Sequence, residues 1–325
     1  MKVANTVDTT RSTVGTAGRG LKAQRFAMSG YPIQVGPTTH LAEERERLDA
    51  MTWQHFEVTR MGATIGAILH GPDLATELPD EVIAEIAAAL AAYKVIFFRD
   101  QPITPAQHIA FARRFGELEL HPFLGSNTEL PELVRFEKSA ETAGYENAWH
   151  ADVTWRECPS MGAILHGIKV PDVGGDTLFA DMYAAYEGLP DDVKEKIETL
   201  DLEHTFMHTF GSFLTEEQKA GMLRAYPPPT HPIVCTHDVT ARRHLYVNRG
   251  FASHVVGLGS EEGRELIDLL CRQADYPEYQ CRFHWERDSV AFWDNRAVQH
   301  YASSDYWPQV RIMERASIIG RRPRR

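Results

Sequence analysis

Residues 147–154 read NAWHADVT and contain His150 and Asp152, and His300 follows 150 positions after the first of these histidines. In an extended strand the side chains of residues i and i+2 point to the same side, so His150 and Asp152 can bind one ion together. His300 would reach the same ion from a distant strand that folds back beside them. The sequence therefore predicts a metal site formed by His150, Asp152 and His300.

Two further His-x-acid pairs, His55–Glu57 and His284–Glu286, are present in the chain. Isolated pairs of this kind occur by chance, and such a histidine is commonly a surface or capping residue. Neither is followed at a suitable distance by a strand that carries arginine, as the pair in 150–152 is. Two imidazoles and one carboxylate on one face of a metal leave the opposite face open, which is typical of non-haem Fe(II) oxygenases. We therefore expect this chemistry only at the pair in 150–152.

The composition is that of an ordinary globular protein, because 43% of the 325 residues are hydrophobic and 24% are charged. The formal net charge of −11 argues against nucleic acid or an anionic membrane as the main partner. The longest apolar stretch, residues 82–98, is interrupted by Glu85 and Lys94, so we expect no membrane-spanning segment. Four cysteines without a C-x-x-C pair, and the lack of an apolar leader, favour a cytoplasmic protein.

The first fifty residues differ from the rest of the chain. Residues 1–50 are rich in Thr, Gly and Arg, contain few large apolar side chains and show no periodicity. This pattern predicts a flexible N-terminal extension, with a transit peptide as the alternative for its first 27 residues. Residues 51–325 are expected to form a single domain.

Local patterns predict a few well-defined elements. Residues 79–93 show a helical apolar face, 95–98 read as a buried strand, and 104–115 read as a helix opened by Thr104. From Val134 onward short strands prevail, with helices near 181–200 and 260–274. Many short strands with long excursions predict a jelly-roll sandwich, so the fold class is mainly β with helical insertions (α+β).

Five segments of the chain together resemble the taurine dioxygenase family of Fe(II)/2-oxoglutarate-dependent dioxygenases. They are 147–154 (NAWHADVT), 174–178 (GGDTL), 247–251 (VNRGF), 293–302 (WDNRAVQHYA) and 305–316, which contains Asp305-Tyr306 and Arg311 to Ala316. The resemblance extends from about residue 58 to residue 323. It implies a double-stranded β-helix core and an enzyme that uses Fe(II), 2-oxoglutarate and O₂ and releases succinate and CO₂.

The resemblance also implies a site for the cosubstrate. Arg311 lies 11 residues after His300, at the family position that binds the distal carboxylate of 2-oxoglutarate, and Thr177 supplies a hydroxyl partner. Arginine suits this task because its planar fork matches a carboxylate. The alternative for Thr177 is an ordinary strand threonine whose hydroxyl is satisfied locally.

A second arginine follows on the same strand. Arg311, Met313 and Arg315 share one face of an extended strand, and two cations that face inward must each meet an anion. The resemblance implies that Arg315, helped by His121, binds an anionic group of the substrate. The alternative is a salt bridge between Arg315 and an acidic neighbour.

The remaining pocket positions set the expected substrate. Phe210 and Phe251 map to aromatic walls of the family pocket, whereas Leu124 and Glu146 replace a Tyr and an Asn of the taurine enzyme. Leu124 makes the pocket less polar, and Glu146 either pairs with a cationic group or faces solvent. Both departures put taurine itself in doubt.

We therefore expect hydroxylation of a small anionic organic molecule, at the carbon next to a sulfonate or sulfate ester, with release of sulfite or sulfate and an aldehyde. One alternative is the same chemistry on a carboxylate, such as an aryloxyalkanoate or an amino-acid-like secondary metabolite. A remote alternative is a metal-free jelly-roll binding protein. A homo-oligomer, a dimer or tetramer, is also expected.

Overall fold

Two β-sheets that pack face to face form the centre of the fold in the computed structural model, which describes residues 25–31, 33–124, 129–142 and 146–325. The strands are β1 Phe26–Ala27, β2 Gln34–Val35, β3 Glu57–Arg60, β4 Ala67–His70, β5 Val95–Phe98, β6 Leu133–Lys138, β7 Ser160–Lys169, β8 Thr177–Asp181, β9 Asp201–His204, β10 Thr230–Pro232, β11 Val234–Thr236, β12 Arg243–Leu245, β13 Ala252–Val255, β14 Gln280–Phe283, β15 Val290–Asp294, β16 Val298–Ala302 and β17 Arg311–Ile319. The α-helices are α1 Ala42–Asp49, α2 Asp80–Tyr93, α3 Pro105–Arg113, α4 Met182–Glu187, α5 Asp191–Ile197, α6 Met207–Phe210, α7 Glu216–Ala225 and α8 Ser260–Cys271.

The larger sheet has the strand order β3-β4-β5-β15-β7-β17-β6, and the facing sheet has the order β14-β8-β16. Neighbouring strands in both sheets run antiparallel, except for the parallel pair β4 and β5. The core between them contains stacked aromatic rings, with the centroids of Phe97 and Phe283 only 4.0 Å apart. The prediction of a mainly β, jelly-roll fold with helical insertions is confirmed.

Strand β5 shows why an uninterrupted apolar run forms the centre of this fold. Val95 and Phe97 point into the core between the two sheets, whereas Ile96 and Phe98 point to the opposite side and pack with α2 and α3. All four residues are buried because helices cover the second face of the sheet. A strand covered on both faces needs apolar side chains at every position rather than at alternate ones.

Most of the helices lie where the sequence predicts them. Helix α2 begins after Pro79, and α3 begins at Thr104, whose hydroxyl accepts a hydrogen bond from the backbone N–H of Gln107. The predicted helix near 181–200 is divided into α4 and α5, because the segment from Gly188 to Pro190 interrupts it. No helix within the described ranges is long and apolar enough to cross a membrane.

One helical region was missed. Residues 206–214 contain α6 and a 3-10 helix, Gly211–Phe213, and α7 follows, in a region where no helix was predicted. The signal for α7 was present in the sequence, since Thr215 and Gln218 form a reciprocal capping box at its start. This insertion packs through Phe206 and Phe210 onto a separate apolar cluster around Trp155.

The packed structure begins earlier than the predicted boundary at residue 51. Helix α1 and the 3-10 helix before it, Thr39–Leu41, lie within the segment that was expected to be flexible. The reason is Lys94, which is 1% exposed and whose Nζ lies 2.6 Å from Glu44 Oε1 on α1. A buried ammonium requires a buried anion, and α1 supplies it. Residues 1–24 of the predicted extension lie outside the described residues.

We predict that Glu44→Gln lowers the free energy of unfolding by about 3 kcal/mol, because Lys94, Arg47 and Arg242 all pair with this buried carboxylate. The Lys94 ammonium would be left with the more distant Asp181, at 3.4 Å. Burial opposes ionisation of Glu44, but Arg47 and Lys94 outweigh it and lower the pKa of the carboxyl to about 2. A carboxyl with a lowered pKa contributes stability above its unfolded value of about 4.3, and this contribution disappears as the pH falls towards 2. Denaturant unfolding should therefore show a deficit that is full at pH 7 and shrinks below pH 4–5. Glu43→Gln, on the exposed side of α1, is the matched control and should unfold like the parent protein.

Candidate active site

A backbone pair brings the two predicted metal-binding histidines together. The backbone N–H of His150 donates to the carbonyl oxygen of His300 at 3.1 Å, and that of His300 donates back to His150 at 2.8 Å. Their imidazole rings consequently lie side by side, with centroids 4.2 Å apart. His300 belongs to β16, so the strand that was expected to fold back beside residue 150 is present.

The carboxylate of the triad comes from a turn rather than from a strand. Asp152 opens a turn over residues 152–155, so the prediction that 150–152 form an extended strand is wrong beyond His150. The turn still directs the side chain to the histidines, because Asp152 Oδ1 lies 3.9 Å from His150 Nε2 and 4.0 Å from His300 Nε2. All three ligand atoms lie within 4.8 Å of one another, close enough to hold one metal ion.

Among the described residues, no other cluster of three or more His, Cys, Asp or Glu side chains could hold a metal. The two competing pairs are occupied elsewhere. His55 Nδ1 lies 2.7 Å from Glu85, and His284 Nδ1 lies 2.8 Å from Asp176. These contacts agree with the prediction that neither pair belongs to the metal site.

The electrostatics of the triad suit a divalent cation. Burial disfavours the charged form of Asp152, but the adjacent Arg315 guanidinium and the imidazoles outweigh it, so the pKa of this carboxyl falls to about 2. Burial and the neighbouring His150 lower the pKa of His300 to about 3. The site therefore offers an ionised carboxylate and a neutral imidazole, which are the forms that bind metal. The Nδ1 of His150 lies 2.8 Å from the carbonyl oxygen of Ala148, which leaves Nε2 for the ion.

A cavity of about 70 Å³ beside the triad contains the predicted cosubstrate residues. Arg311 is only 7% exposed, and its Nε and Nη2 find no hydrogen-bond acceptor within the described part of the chain. The hydroxyl of Thr177 accepts a 2.9 Å hydrogen bond from Trp285 Nε1, so its own proton is free to be donated. A buried cation without an acceptor next to a hydroxyl donor is what a carboxylate ligand requires.

The Gly174-Gly175 pair allows this cavity to form. Gly175 has φ +70°, and a Cβ there would lie 3.3 Å from Cδ of Arg311. Its backbone N–H donates to the carboxylate of Asp305 at 2.8 Å, which holds the turn in front of β8. Only glycine combines this left-handed conformation with so close an approach, so the motif positions Thr177 against Arg311.

A second cavity, of about 120 Å³, adjoins the first and is lined by all six predicted substrate residues. They are His121, Leu124, Glu146, Phe210, Phe251 and Arg315. Arg315 Nη1 donates to both oxygens of Asp152 at 3.0 Å, whereas its Nε has no acceptor among the described residues. The acidic neighbour considered for Arg315 is thus present, and it is a residue of the metal site.

His121 is held in one tautomer. The backbone N–H groups of Phe123 and Leu124 both donate to its Nδ1, at 3.2 and 3.1 Å, so the ring proton is on Nε2. Burial and the charge of Arg315 lower the pKa of this imidazole to about 3. His121 therefore presents a neutral N–H donor rather than a positive charge.

Glu146 forms part of the wall of both cavities. Its carboxylate lies 2.9 Å from Lys138 Nζ, on the edge strand β6, where Lys138 is opposite Arg311. Of the two orientations left open by the sequence, pairing with a cation is the one observed, and the cation belongs to the protein. Residues 125–128 and 143–145 of the surrounding loops lie outside the described residues.

Sequence reasoning missed three residues that contact the site. Trp285 orients Thr177, Lys138 neutralises Glu146, and Asn295 hydrogen-bonds to the backbone of Asp152. Trp285 lay inside a discarded His-x-Glu pair, and Asn295 lay inside a quoted motif. No local signal distinguishes such residues, because their partners are more than 100 positions away in two of the three cases.

Comparison with known proteins agrees with this geometry. The model of the family described as taurine catabolism dioxygenase TauD, TfdA family, matches residues 57–317, so the chain belongs to this family. A taurine dioxygenase from Burkholderia xenovorans of known structure shares 34% identity with a TM-score of 0.72, over 83% of this chain and 93% of that one. The protein is an Fe(II)/2-oxoglutarate-dependent dioxygenase that uses O₂.

Relatives with different substrates are similarly close in sequence. An (S)-phenoxypropionate/alpha-ketoglutarate dioxygenase of Sphingobium herbicidovorans is 35% identical over 82% of this chain and 95% of its own. An alpha-ketoglutarate-dependent sulfate ester dioxygenase of Pseudomonas putida is 31% identical over 82% and 90%. An alkylsulfatase of Acinetobacter baylyi is 30% identical over 82% and 86%.

We predict that Asp152→Ala weakens metal binding by at least about a hundredfold, since removal of a mere outer-shell partner already costs about 10- to 100-fold. Titration of the metal-free protein with Mn(II), followed by calorimetry, measures this. Glu286→Ala, in the discarded His-x-Glu pair, is the matched control and should bind Mn(II) like the parent. Equal affinities of the two variants would refute the assignment of Asp152.

Proposed function

We propose that this dioxygenase hydroxylates the carbon that bears the sulfate ester or sulfonate group of a small, singly charged organic anion. One atom of O₂ enters the C–H bond and the other enters succinate, which forms with CO₂ from 2-oxoglutarate. The hydroxylated product of an alkyl sulfate then breaks its C–O bond to sulfur and yields an aldehyde and hydrogen sulfate. A hydroxylated sulfonate instead breaks its C–S bond and yields an aldehyde and hydrogen sulfite, with the hydroxyl proton passing to the sulfite.

We propose that His150, Asp152 and His300 hold Fe(II). Arg311 and Thr177 bind the distal carboxylate of 2-oxoglutarate. When bound, iron and 2-oxoglutarate supply the activation of O₂. The fit of these residues is supported by Nε and Nη2 of Arg311, which lack acceptors among the residues that the structure describes, and by the Thr177 proton that is free to be donated.

The position of Arg315 is the observation on which the substrate proposal rests. Arg315 lines the second cavity together with Asp152 of the metal site. Its Nη1 donates to both oxygens of Asp152, whereas its Nε has no acceptor in the described ranges. An anionic group that binds the remaining donors would place its attached carbon next to the metal triad. His121 adds a neutral N–H donor on the same side of the cavity.

The charges around the two cavities favour a single negative charge on the substrate. Among the described lining residues, Lys138 neutralises Glu146 and Arg315 neutralises Asp152, which leaves the charge of Arg311. The two charges of Fe(II) and those of the 2-oxoglutarate dianion cancel. One positive charge therefore remains, and a monoanion balances it, which matters because an uncompensated buried charge is costly.

The rest of the substrate cavity favours an apolar body. The rings of Phe123 and Phe210 stack at 4.7 Å, and Phe210 and Phe251 stack at 6.4 Å. Leu124 offers no polar contact to an ammonium group, and the two carboxylates that line the cavity are paired, Glu146 with Lys138 and Asp152 with Arg315. These walls orient the substrate and exclude water around the anionic group, where charge-assisted hydrogen bonds are strongest.

The second candidate is an aryloxyalkanoate, in which a carboxylate replaces the sulfur group. The aromatic walls suit an aryl body, and the phenoxypropionate dioxygenase noted above is similarly close in sequence. The two candidates are separated by products, because the sulfur compounds release sulfate or sulfite and an aryloxyalkanoate releases a phenol.

We predict that the two arginines separate by ligand. Arg311→Ala should raise the KM for 2-oxoglutarate, and Arg315→Ala should mainly raise the KM for the organic substrate. Loss of a charge-assisted hydrogen bond costs about 1.5–3 kcal/mol, or roughly ten- to a hundredfold. Arg264→Ala, on the exposed side of α8 and outside both cavities, is the control and should change neither constant. If both active-site variants raised only the KM for 2-oxoglutarate, the assignment of Arg315 to the organic substrate would be wrong.

We predict that alkyl sulfates or larger apolar sulfonates have a higher kcat/KM than taurine, because Leu124 contacts an apolar chain better than an ammonium. Succinate release, with the aldehyde identified, ranks them together with aryloxyalkanoates. Glu146→Gln should preserve the ranking, since the positive charge of Lys138 would then attract every anionic group alike and repel the ammonium of taurine. Taurine in first place would contradict the assignment, and release of phenols alone would favour the second candidate.

The assembly and the domain boundaries stay predictions. We propose a homo-oligomer, a dimer or tetramer, of single-domain subunits, and sedimentation velocity measures the assembly.

A further inference from the structure

The side chain of Asn295 hydrogen-bonds to both the backbone N–H and the carbonyl oxygen of Asp152. Its Oδ1 accepts from the backbone N–H of Asp152 at 2.7 Å, and its Nδ2 donates to the carbonyl oxygen of Asp152 at 2.9 Å. The same Nδ2 donates to the carbonyl oxygen of Ser160 at 3.1 Å. Asn295 is 1% exposed, so these contacts are made away from water. The amide thus replaces the strand partner that Asp152 lacks.

Asp152 needs such a partner because its segment is irregular. The strand pairing ends at His150, and residues 152–155 form a turn. Val153, the next residue, has φ +48°, a left-handed conformation that is unfavourable for a β-branched side chain. Strained backbone of this kind persists only where its surroundings fix it. The hydrogen bonds of Asn295 are the contacts that fix the peptide groups on either side of Asp152.

Asn295 is itself firmly anchored, next to the strand that carries His300. It lies in the tight connection between β15 and β16, and its backbone N–H donates to Met161 at 2.9 Å. The preceding Asp294 is buried, and its carboxylate receives hydrogen bonds from His237 at 3.0 Å and from Arg296 at 2.7 Å. One residue therefore connects a fixed hairpin, which carries His300, to the turn that carries Asp152.

We propose that Asn295 is a positioning residue for the metal site, which sets the place of the Asp152 carboxylate relative to the two histidines. This inference rests on the proposed assignment of the triad. Asn295 acts through the backbone of Asp152 and does not contact the metal. Its loss leaves all three ligands in the chain but frees the turn, so the carboxylate no longer occupies one position before the ion arrives. Partners of ligands in this position typically change metal affinity by about 10- to 100-fold.

A merely structural buried amide would have a different effect, and the chain contains one with the same hydrogen bonds. Gln101 accepts from the backbone N–H of Leu74 at 2.8 Å and donates to the carbonyl oxygens of Pro72 and Arg99 at 3.1 and 2.9 Å. It is buried as well, but it lies between β5 and α3 and lines neither cavity. Gln101 is therefore a matched control for the loss of three buried hydrogen bonds.

The experiment compares Asn295→Ala with Gln101→Ala in the full-length, metal-free protein. Thermal unfolding measures stability, calorimetric titration with Mn(II) measures affinity, and the visible spectrum of bound Co(II) reports ligand geometry. We expect both variants to unfold at lower temperature. Only Asn295→Ala should bind Mn(II) about ten- to a hundredfold more weakly and change the Co(II) spectrum. Asn295→Asp and Gln101→Glu form a second pair if the alanine variants do not fold, because they keep side-chain size and replace an NH2 group that donates two hydrogen bonds in each case.

The outcomes are distinct. Mn(II) affinity of the Asn295 variants within twofold of the parent, with an unchanged Co(II) spectrum, would overturn the proposal. So would equal weakening in the Gln101 variants, since the effect would then follow from stability alone. A parent protein that binds no metal would refute the triad and this inference together. A parent that binds metal but converts none of the proposed substrates would refute the substrate proposal and leave the role of Asn295 standing.

Discussion

The pairing of the His150 and His300 backbones is the contact on which the active site depends. Its two hydrogen bonds, of 3.1 and 2.8 Å, join segments that are 150 residues apart and set the imidazoles side by side. Strand β16 continues from this pair into the smaller sheet, next to β8 and its Thr177. The sheet that stabilises the core thus also fixes two of the predicted metal ligands and one predicted cosubstrate residue. Misalignment of this pair would separate the histidines before any ligand could bind.

Buried charge is the second constraint, and the protein meets it with ion pairs. Lys94 pairs with Glu44 and Asp181, Lys138 pairs with Glu146, and Arg315 pairs with Asp152. Arg311 differs, because its Nε and Nη2 find no acceptor in the described ranges. Since an unpaired buried cation costs several kcal/mol, roughly the scale of a whole domain's stability, such a residue marks the place of an anionic ligand. Its neighbours Trp285 and Tyr306 add ring faces at 5.8 and 5.9 Å.

Several elements could be predicted because their signals are local. The capping residue Thr104, the apolar run 95–98 and the histidine-acid spacing at 150–152 each specify an element or a ligand set within a few residues. Helix α1 could not be predicted in this way. Its reason is the buried Lys94, whose neutralising Glu44 lies 50 positions earlier. Likewise the turn at Asp152 is held by Asn295, 143 positions later. Since so distant a contact leaves no local signal, the i, i+2 spacing of His150 and Asp152 suggested a strand.

The sequence by itself determined the class of chemistry, because motifs with fixed spacing identify the family and predict its metal and cosubstrate residues. It also determined the two-sheet architecture, because alternation and apolar runs reflect which faces are covered. Only the tertiary structure decided how those residues are held. A hydrogen bond between distant positions holds the backbone of Asp152, and an ion pair gives Glu146 its partner Lys138. In the described part of the chain, Nε and Nη2 of Arg311 are left without an acceptor. Such contacts depend on distance in space, which is fixed only when the sheets have packed.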